Sequence, residues 1–146
     1  MKFLNNKFKF LFDYLFSIIL IFLLIIPIFV LGIIIKLFDG SPVFFIQDRA
    51  GLNGKPIKII KFKTLINLVD GSKKVTKLGK FLRLTRIDEI PQLFNVISGN
   101  LSFVGPRPLY VKYIKLYSSK QMRRLEMKPG ITGWAQINGD NNISWK

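Results

Sequence analysis

Hydrophobic residues fall along this chain in one long block followed by short, punctuated runs. No charge interrupts the block from Tyr14 to Ile35, and Asp13 and Lys36 bound it. A block of this length predicts a helix able to cross a bilayer. A secretory signal would be shorter and end in a small-residue cleavage site; none follows Ile35, so the segment reads as retained. Pro27 lies inside it, where its ring removes a hydrogen bond, frees the Leu23 carbonyl and favours a kink.

After the block the period shortens. Val43 to Gln47 and Ile57 to Phe62 are β-prone runs joined by a connector with Gly51, Asn53 and Gly54, which predicts a small hairpin. Val75, Leu78 and Leu82 recur at helical spacing among Lys73, Lys74, Lys77, Lys80 and Arg83. That spacing predicts an amphipathic basic helix suited to anionic membrane lipids. In DEIPQLFNVIS, Ile90, Leu93, Phe94 and Ile97 share a helical face, and Pro91 is tolerated in the first turn, so Asp88 and Glu89 stand at a helix N-terminus. A Gly/Pro loop, GNLSFVGPRPLY, leads to a helical stretch from Tyr110 with a capping box at Ser118 and Gln121, ended by the turn at Lys128-Pro129-Gly130. No repeat or low-complexity linker divides the rest. The expected fold is mainly α with a short β-hairpin: a flank and membrane segment over residues 1–39, then one globular unit over 40–146.

Charge refines the topology. The chain carries 23 Lys and Arg against 8 Asp and Glu, a formal +15, while 49% of its residues are hydrophobic. Lys2, Lys7 and Lys9 precede the apolar block and all other basic residues follow it, so both flanks have the bias of cytoplasmic segments. A straight crossing leaves one positive flank outside. A segment that enters, breaks near Pro27 and returns keeps both inside. Hydropathy leaves both arrangements open.

The same charge favours polyanionic partners: nucleic acid, anionic headgroups or phosphorylated substrates. The aromatic residues lie mostly in apolar runs and are not interleaved with basic ones as a stacking platform, so no nucleic acid is expected. With no Cys and no His, thiolate nucleophiles, Cys/His zinc sites and imidazole acid–base chemistry are excluded. Catalysis would fall to carboxylates, hydroxyls, Lys or Arg.

Asp88 and Glu89, with Arg83 and Arg86 just upstream, are the candidates. Cations and a helix N-terminus keep at least one carboxylate ionised and suit a divalent metal with a phosphate. The plainer alternative is that Asp88 caps the helix and Glu89 favours its first turn. Lys61, Lys63 and Thr64 close the second strand, and Arg107, between Pro106 and Pro108, has the guanidinium geometry for gripping phosphate. Trp134, in PGITGWAQINGD, reads either as a stacking surface or as a packing anchor.

Three strings in series, GSPVFFIQDRAGLNGKPIKIIKFKTL, RLTRIDEIPQLFNVISGNLSFVGPRPL and KPGITGWAQING, resemble the bacterial sugar transferase family, the monotopic polyprenyl-phosphate phosphoglycosyl transferases. The resemblance covers nearly the whole chain in order. It implies a re-entrant, helix–break–helix anchor in the bacterial cytoplasmic membrane and a cytoplasmic-face active site built with interfacial helices. It implies transfer of a phosphosugar from a UDP-sugar to undecaprenyl phosphate, with Mg²⁺, as the first membrane step of glycan assembly. Asp88 then corresponds to the nucleophile and Glu89 to a metal ligand, and Lys61, Lys63, Arg83 and Arg107 fall on the family's basic positions. Asn100 replaces a usual acidic residue, Ile26 a common Ser and Leu65 a common Met. Family members usually continue for several dozen residues past the Ile-Ser-Trp segment, so a missing C-terminal tail is expected, and with it a second reading as a non-catalytic relative.

Overall fold

The computed structural model describes residues 2–138 of the 146, with side chains described from Lys7 onward, so the Ile143–Trp145 segment lies outside the described residues. Helix α1 spans Lys2–Phe38 and passes through Pro27 as a single helix. The helix assignment therefore continues through Pro27, and the expected break there is not seen, although the proline still removes the hydrogen bond to the Leu23 carbonyl. Among the described residues, α1 is the helix long and apolar enough to cross a membrane.

One stripe of α1 faces the rest of the protein. Asp13 and Ser17 are buried and Ile35 is fully buried. Between them Leu20 and Leu24 line a cavity, and Ile28 and Leu31 pack beside Ile35. The spacing of three and four residues makes this one continuous face. On the other side Phe8, Phe12, Phe22, Leu23, Ile26 and Phe29 are exposed.

The stripe is bound at both ends. At the N-terminal end the Ser102 hydroxyl donates to Asp13 Oδ2 at 2.7 Å and the Phe103 N–H to Asp13 Oδ1 at 3.4 Å. Lys9 lies 3.5 Å from the same carboxylate and donates to Ser102 Oγ and the Val104 carbonyl. Phe16 meets Phe103 edge-on at 5.2 Å. At the other end Ile35 joins Phe62 and Leu82 in a core that Val43, Leu78 and Ile87 complete. Fully burying aliphatic and aromatic side chains of this size stabilises by about 1.5–3 kcal/mol each.

Strands β1 (Phe44–Ala50) and β2 (Pro56–Phe62) form the expected hairpin, antiparallel with Phe44 opposite Phe62. Alternation puts Ile57, Ile59 and Lys61 on one face of β2 and Phe62 on the other. Phe62 joins α1, while Ile59 builds a second core with Val96 and Leu101. Strands β3 (Leu65–Asn67) and β4 (Lys73–Val75) pair antiparallel. Lys73 to Val75 thus belongs to a strand, and the basic helix α2 runs only over Lys77–Thr85. Thr76 decides that start, because its hydroxyl accepts from the Gly79 N–H and donates to Asp39 Oδ2, each at 2.8 Å.

A 3₁₀ turn, Ile87–Glu89, precedes α3 (Gln92–Ile97). The buried face of α3 is Leu93 and Val96 with Gln92 and Asn95, and Phe94 is exposed, unlike the expected Ile90-Leu93-Phe94-Ile97 face. Asn95 explains the rotation. Its Oδ1 accepts from the Ile60 N–H at 3.0 Å and its Nδ2 donates to the Lys58 carbonyl at 2.7 Å, so α3 is fastened to the edge of β2. The Gly/Pro loop contains β5 (Ser102–Val104), parallel to β6 (Gly130–Thr132). Between them lie a 3₁₀ turn, Val111–Leu116, and α4 (Ser119–Met122) with the expected capping box; α5 (Trp134–Ile137) follows.

The described fold is mixed α/β, with three two-stranded sheets, rather than mainly α with one hairpin. Four of the strands are three residues long, too short to carry a period in the sequence.

Replacing Asp13 with Ala should strand the Ser102 hydroxyl and the Phe103 N–H and leave Lys9 without its counter-ion. The expected cost is about 3 kcal/mol, read as a lowered unfolding midpoint in nanodiscs. An unchanged midpoint would show that this end of α1 is held by apolar contacts alone.

Candidate active site

The strand register of β2 aims Lys61, on the face of Ile59, toward the 3₁₀ turn that α3 carries. Its ammonium donates to Glu89 Oε1 at 2.5 Å. Arg86 Nη1 lies 3.9 Å from the same oxygen. Arg83, in the last turn of α2, donates through Nε to Thr64 Oγ1 at 2.9 Å, which ties α2 to the end of the hairpin.

Asp88 is buried, and its Oδ1 has no hydrogen-bond partner among the described residues. Burial pushes its carboxyl above the ordinary aspartate range; Lys61 opposes the rise, Glu89 adds to it, and Arg83 and Arg86 oppose it. Desolvation penalises the charged form, and the surrounding cations recover only part of that penalty. The two adjacent acids therefore sit in unequal environments, Glu89 paired with a cation and Asp88 buried with its Oδ1 unpartnered among the described residues.

Arg107 is placed by β5 and β6. The Gly105 N–H donates to the Thr132 carbonyl and the Gly130 N–H to the Pro106 carbonyl, each at 3.0 Å. A Cβ on Gly130 would lie 2.1 Å from the Gly105 nitrogen, so no side chain fits there. This crossing fixes the Pro106-Arg107-Pro108 turn, and Arg124 Nη2 donates to the Arg107 carbonyl at 3.1 Å.

Two cavities meet at these residues. One, of about 590 Å³, is bordered by Lys61, Lys63, Thr64, Arg83 and Asp88. The other, of about 420 Å³, is walled by Leu20 and Leu24 of α1 against Ile90, Leu93, Phe103 and Ile137. Arg86, Glu89 and Arg107 border both. A charged chamber and an apolar one thus share a wall made of two arginines and a carboxylate.

Asp88, Glu89, Lys61, Arg83 and Arg107 are thereby brought together. Lys63 borders the charged cavity, but its ammonium donates to the carbonyls of Asp39, Gly40 and Ser41, just past the end of α1. A cation there also suits the helix dipole. Asn100 donates to Ser98 Oγ at 3.0 Å on the exposed surface. Trp134 is 80% exposed, so it is not a packing anchor.

Arg49 and Tyr110 were not singled out by the sequence, yet both border the charged cavity. The Arg49 guanidinium lies 3.8 Å from the Tyr110 ring centroid, and its Nη2 donates to Gln47 Oε1 at 2.6 Å. The available signal was the alternation of Gln47 and Arg49 on one strand, which puts both on one face.

Among the described residues no three carboxylates gather as a metal cage. Mg²⁺ is usually held by one or two carboxylates plus substrate phosphates, and the adjacent Asp88 and Glu89, the first with its Oδ1 buried and unpartnered, are a donor set of that kind.

The family model described as Bacterial sugar transferase matches residues 4–146. The uncharacterized sugar transferase EpsL of Bacillus subtilis strain 168 is 53% identical over 120 residues, covering 77% of this chain and 59% of that protein. The UDP-glucose:undecaprenyl-phosphate glucose-1-phosphate transferase of Escherichia coli K12 is 44% identical over 133 residues, covering 82% of this chain and 29% of its own length. The protein of the same name from Klebsiella pneumoniae is 42% identical over 148 residues, covering 93% of this chain and 32% of its own. The chain thus spans less than two thirds of each of these relatives. On the family match and these identities, the chain belongs to the bacterial sugar transferases, a family of phosphoglycosyl transferases.

Proposed function

We propose that the chain transfers a sugar 1-phosphate from a UDP-sugar to undecaprenyl phosphate, releasing UMP, at the cytoplasmic face of the bacterial membrane. The product would begin assembly of a capsule, O-antigen, exopolysaccharide or glycoprotein glycan. The observation that carries this reading is the pair of cavities, one charged and one apolar, that meet at Arg86, Glu89 and Arg107 beside Asp88. A nucleoside diphosphate sugar suits the first and a phosphate on a long apolar chain the second. The names of the Escherichia coli and Klebsiella pneumoniae relatives carry both substrates.

The chemistry divides into two displacements. The ionised Asp88 carboxylate attacks the sugar-bearing phosphorus, a P–O bond to the bridging oxygen breaks, and UMP leaves with the electron pair. An oxygen of undecaprenyl phosphate then attacks the aspartyl phosphate, forming the lipid diphosphate sugar and restoring the carboxylate. Lys61, Arg83 and Arg107 hold the phosphates and offset their charge. Glu89, with Asp88 beside it, would hold Mg²⁺, which when bound neutralises charge on the pyrophosphate.

The membrane arrangement in this reading rests on α1. In a straight helix Asp13 and Ile35 lie about 33 Å apart, comparable with the roughly 30 Å hydrocarbon core. One body cannot hold both ends if they lie on opposite sides of the bilayer, and here both ends bind the same body. This supports both flanks lying on one side of the membrane, the cytoplasmic one, with the unbroken α1 turning its outer apolar face to lipid and the basic helix α2 near anionic headgroups. Cysteines placed at Asn5 and Ser72 should be labelled by a membrane-impermeant reagent only when the cytoplasmic face is open. Labelling at Asn5 from the outside would sink this one-sided arrangement.

Asp88→Asn should abolish the covalent adduct from radiolabelled UDP-sugar and lower turnover at least about 10⁴-fold, while Glu89→Gln should weaken Mg²⁺ dependence about tenfold or more. Glycosyl phosphate mapped to another residue would overturn the assignment. The raised Asp88 pKa sets the sign of two further effects. In the metal-free protein the Asp88 carboxyl should titrate above an ordinary aspartate, as read by carboxyl NMR shifts, and Lys61→Met should raise it further, because Lys61 opposes the rise. A raised folded-state pKa contributes stability below the unfolded value that is lost as pH rises through the folded one. Asp88→Asn should therefore leave the neutral-pH unfolding midpoint unchanged or higher; a lower midpoint would point to a structural role.

A further inference from the structure

The backbone at Arg86 departs from what its side chain prefers. It closes α2 at φ 60° and ψ 12°, in the left-handed region. The other residues with positive φ among those described are Gly40, Gly54, Gly71, Gly99 and Asn53. Each of these tolerates the conformation, and Gly or Asn is the usual choice just past a helix end. At this position the chain must turn sharply: the Arg86 N–H returns to the Arg83 carbonyl, and the Arg86 carbonyl accepts from the Glu89 N–H at 3.1 Å. Glycine would make the same turn at lower conformational cost. An arginine kept in a sparsely populated region is a reason to look for what its side chain does.

Its side chain reaches the junction of the two cavities. Arg86 borders both and lies 3.9 Å from Glu89 Oε1, with its side chain about half exposed. The apolar cavity is walled on one side by Leu20 and Leu24 of α1, the helix whose outer face the reading above places in lipid. Arg86 and Arg107 supply the positive charge bordering that cavity. An apolar channel with guanidinium groups on its border matches an apolar chain bearing a terminal phosphate, because each part of such a ligand meets its own kind of surface.

We propose that Arg86 is a further binding residue of this site, one that grips the phosphate of the lipid acceptor as it arrives through the apolar cavity. This rests on the transferase reading above and adds a residue that sequence reasoning noted only as a neighbouring charge. It divides the basic residues by substrate: Lys61 and Arg83 border only the charged cavity of the two, whereas Arg86 and Arg107 stand on the wall common to both.

The test uses the full chain in nanodiscs and farnesyl phosphate as a short lipid phosphate, with farnesol, inorganic phosphate and UDP as separate ligands. Arg86→Gly suits the left-handed backbone, so its unfolding midpoint should equal or exceed that of the wild type. Its affinity for farnesyl phosphate should fall about 10- to 100-fold, the loss of a charge-assisted contact, with UDP affinity changed by less than about threefold. Arg86→Lys should recover part of the lost affinity. Farnesol and inorganic phosphate should each bind the wild type far more weakly than farnesyl phosphate. Four results would overturn the proposal: farnesyl phosphate binding unaffected by Arg86→Gly, equal losses for UDP and farnesyl phosphate, inorganic phosphate binding as tightly as the lipid phosphate, or a wild type that binds UDP alone. A wild type that binds neither UDP nor farnesyl phosphate would remove the transferase reading and this proposal with it.

Discussion

A helix long and apolar enough to cross a membrane is bound along one stripe to the strongly basic remainder of the chain. The binding begins with a buried carboxylate: Asp13 accepts from Ser102 and from the Phe103 backbone, with Lys9 beside it. Removing such a group from water is costly unless each of its polar neighbours is satisfied, so this end of α1 has a defined rotation as well as a defined place. The opposite end is held by apolar contact, with Ile35 enclosed by Phe62 and Leu82. Between the two anchors Leu20 and Leu24 complete the wall of the apolar cavity. Without the docking, that wall would be absent and the acidic pair would open directly to its surroundings on one side.

The same body resolves an electrostatic problem. In a chain of formal charge +15, two adjacent acids would be expected to sit among cations and stay ionised. The fold instead treats them differently. Asn95 fixes α3 to the edge of β2, which sets the height of the 3₁₀ turn against Lys61. Lys61 is thereby spent on Glu89, and Asp88 is buried deeply enough that desolvation outweighs its more distant cations. Unequal environments for neighbouring carboxylates permit unequal roles, one to react and one to hold charge in place.

The third support is the parallel contact of β5 with β6. It is only a few residues long, but the close approach of Gly105 and Gly130 leaves no room for a side chain, so the Pro106-Arg107-Pro108 turn has little freedom. From the other side, the Ala50 N–H donates to the Leu109 carbonyl at 2.8 Å, and Arg49 stacks on Tyr110. Arg107 is therefore held between the hairpin and β6, on the border of both cavities.

Much of this was local enough to be legible. Alternation over Ile57 to Phe62 gave the hairpin, Ser118 and Gln121 gave a capping box, and an uncharged block gave the helix that lipid would accept. Asp88, Glu89, Lys61, Arg83 and Arg107 stood out only in combination and through the family resemblance, because each alone also reads as a helix cap or a solvated charge. Tertiary contacts decided the rest. Asn95, by bonding to the edge of β2, chose the buried face of α3 over the one that hydrophobic spacing favoured. Thr76 and Asp39 moved the start of α2 and released Lys73 to Val75 to a strand. Lys63 turned to the end of α1, and Arg86 took a conformation that its residue type disfavours. Asp13, which looked like the polar boundary of a membrane segment, became its buried anchor. The sequence by itself determined what depends on neighbours one to four residues apart. What depends on Asp13 meeting Ser102, or Asn95 meeting Ile60, only the tertiary structure decided, because those partners lie far apart along the chain and no local period records them.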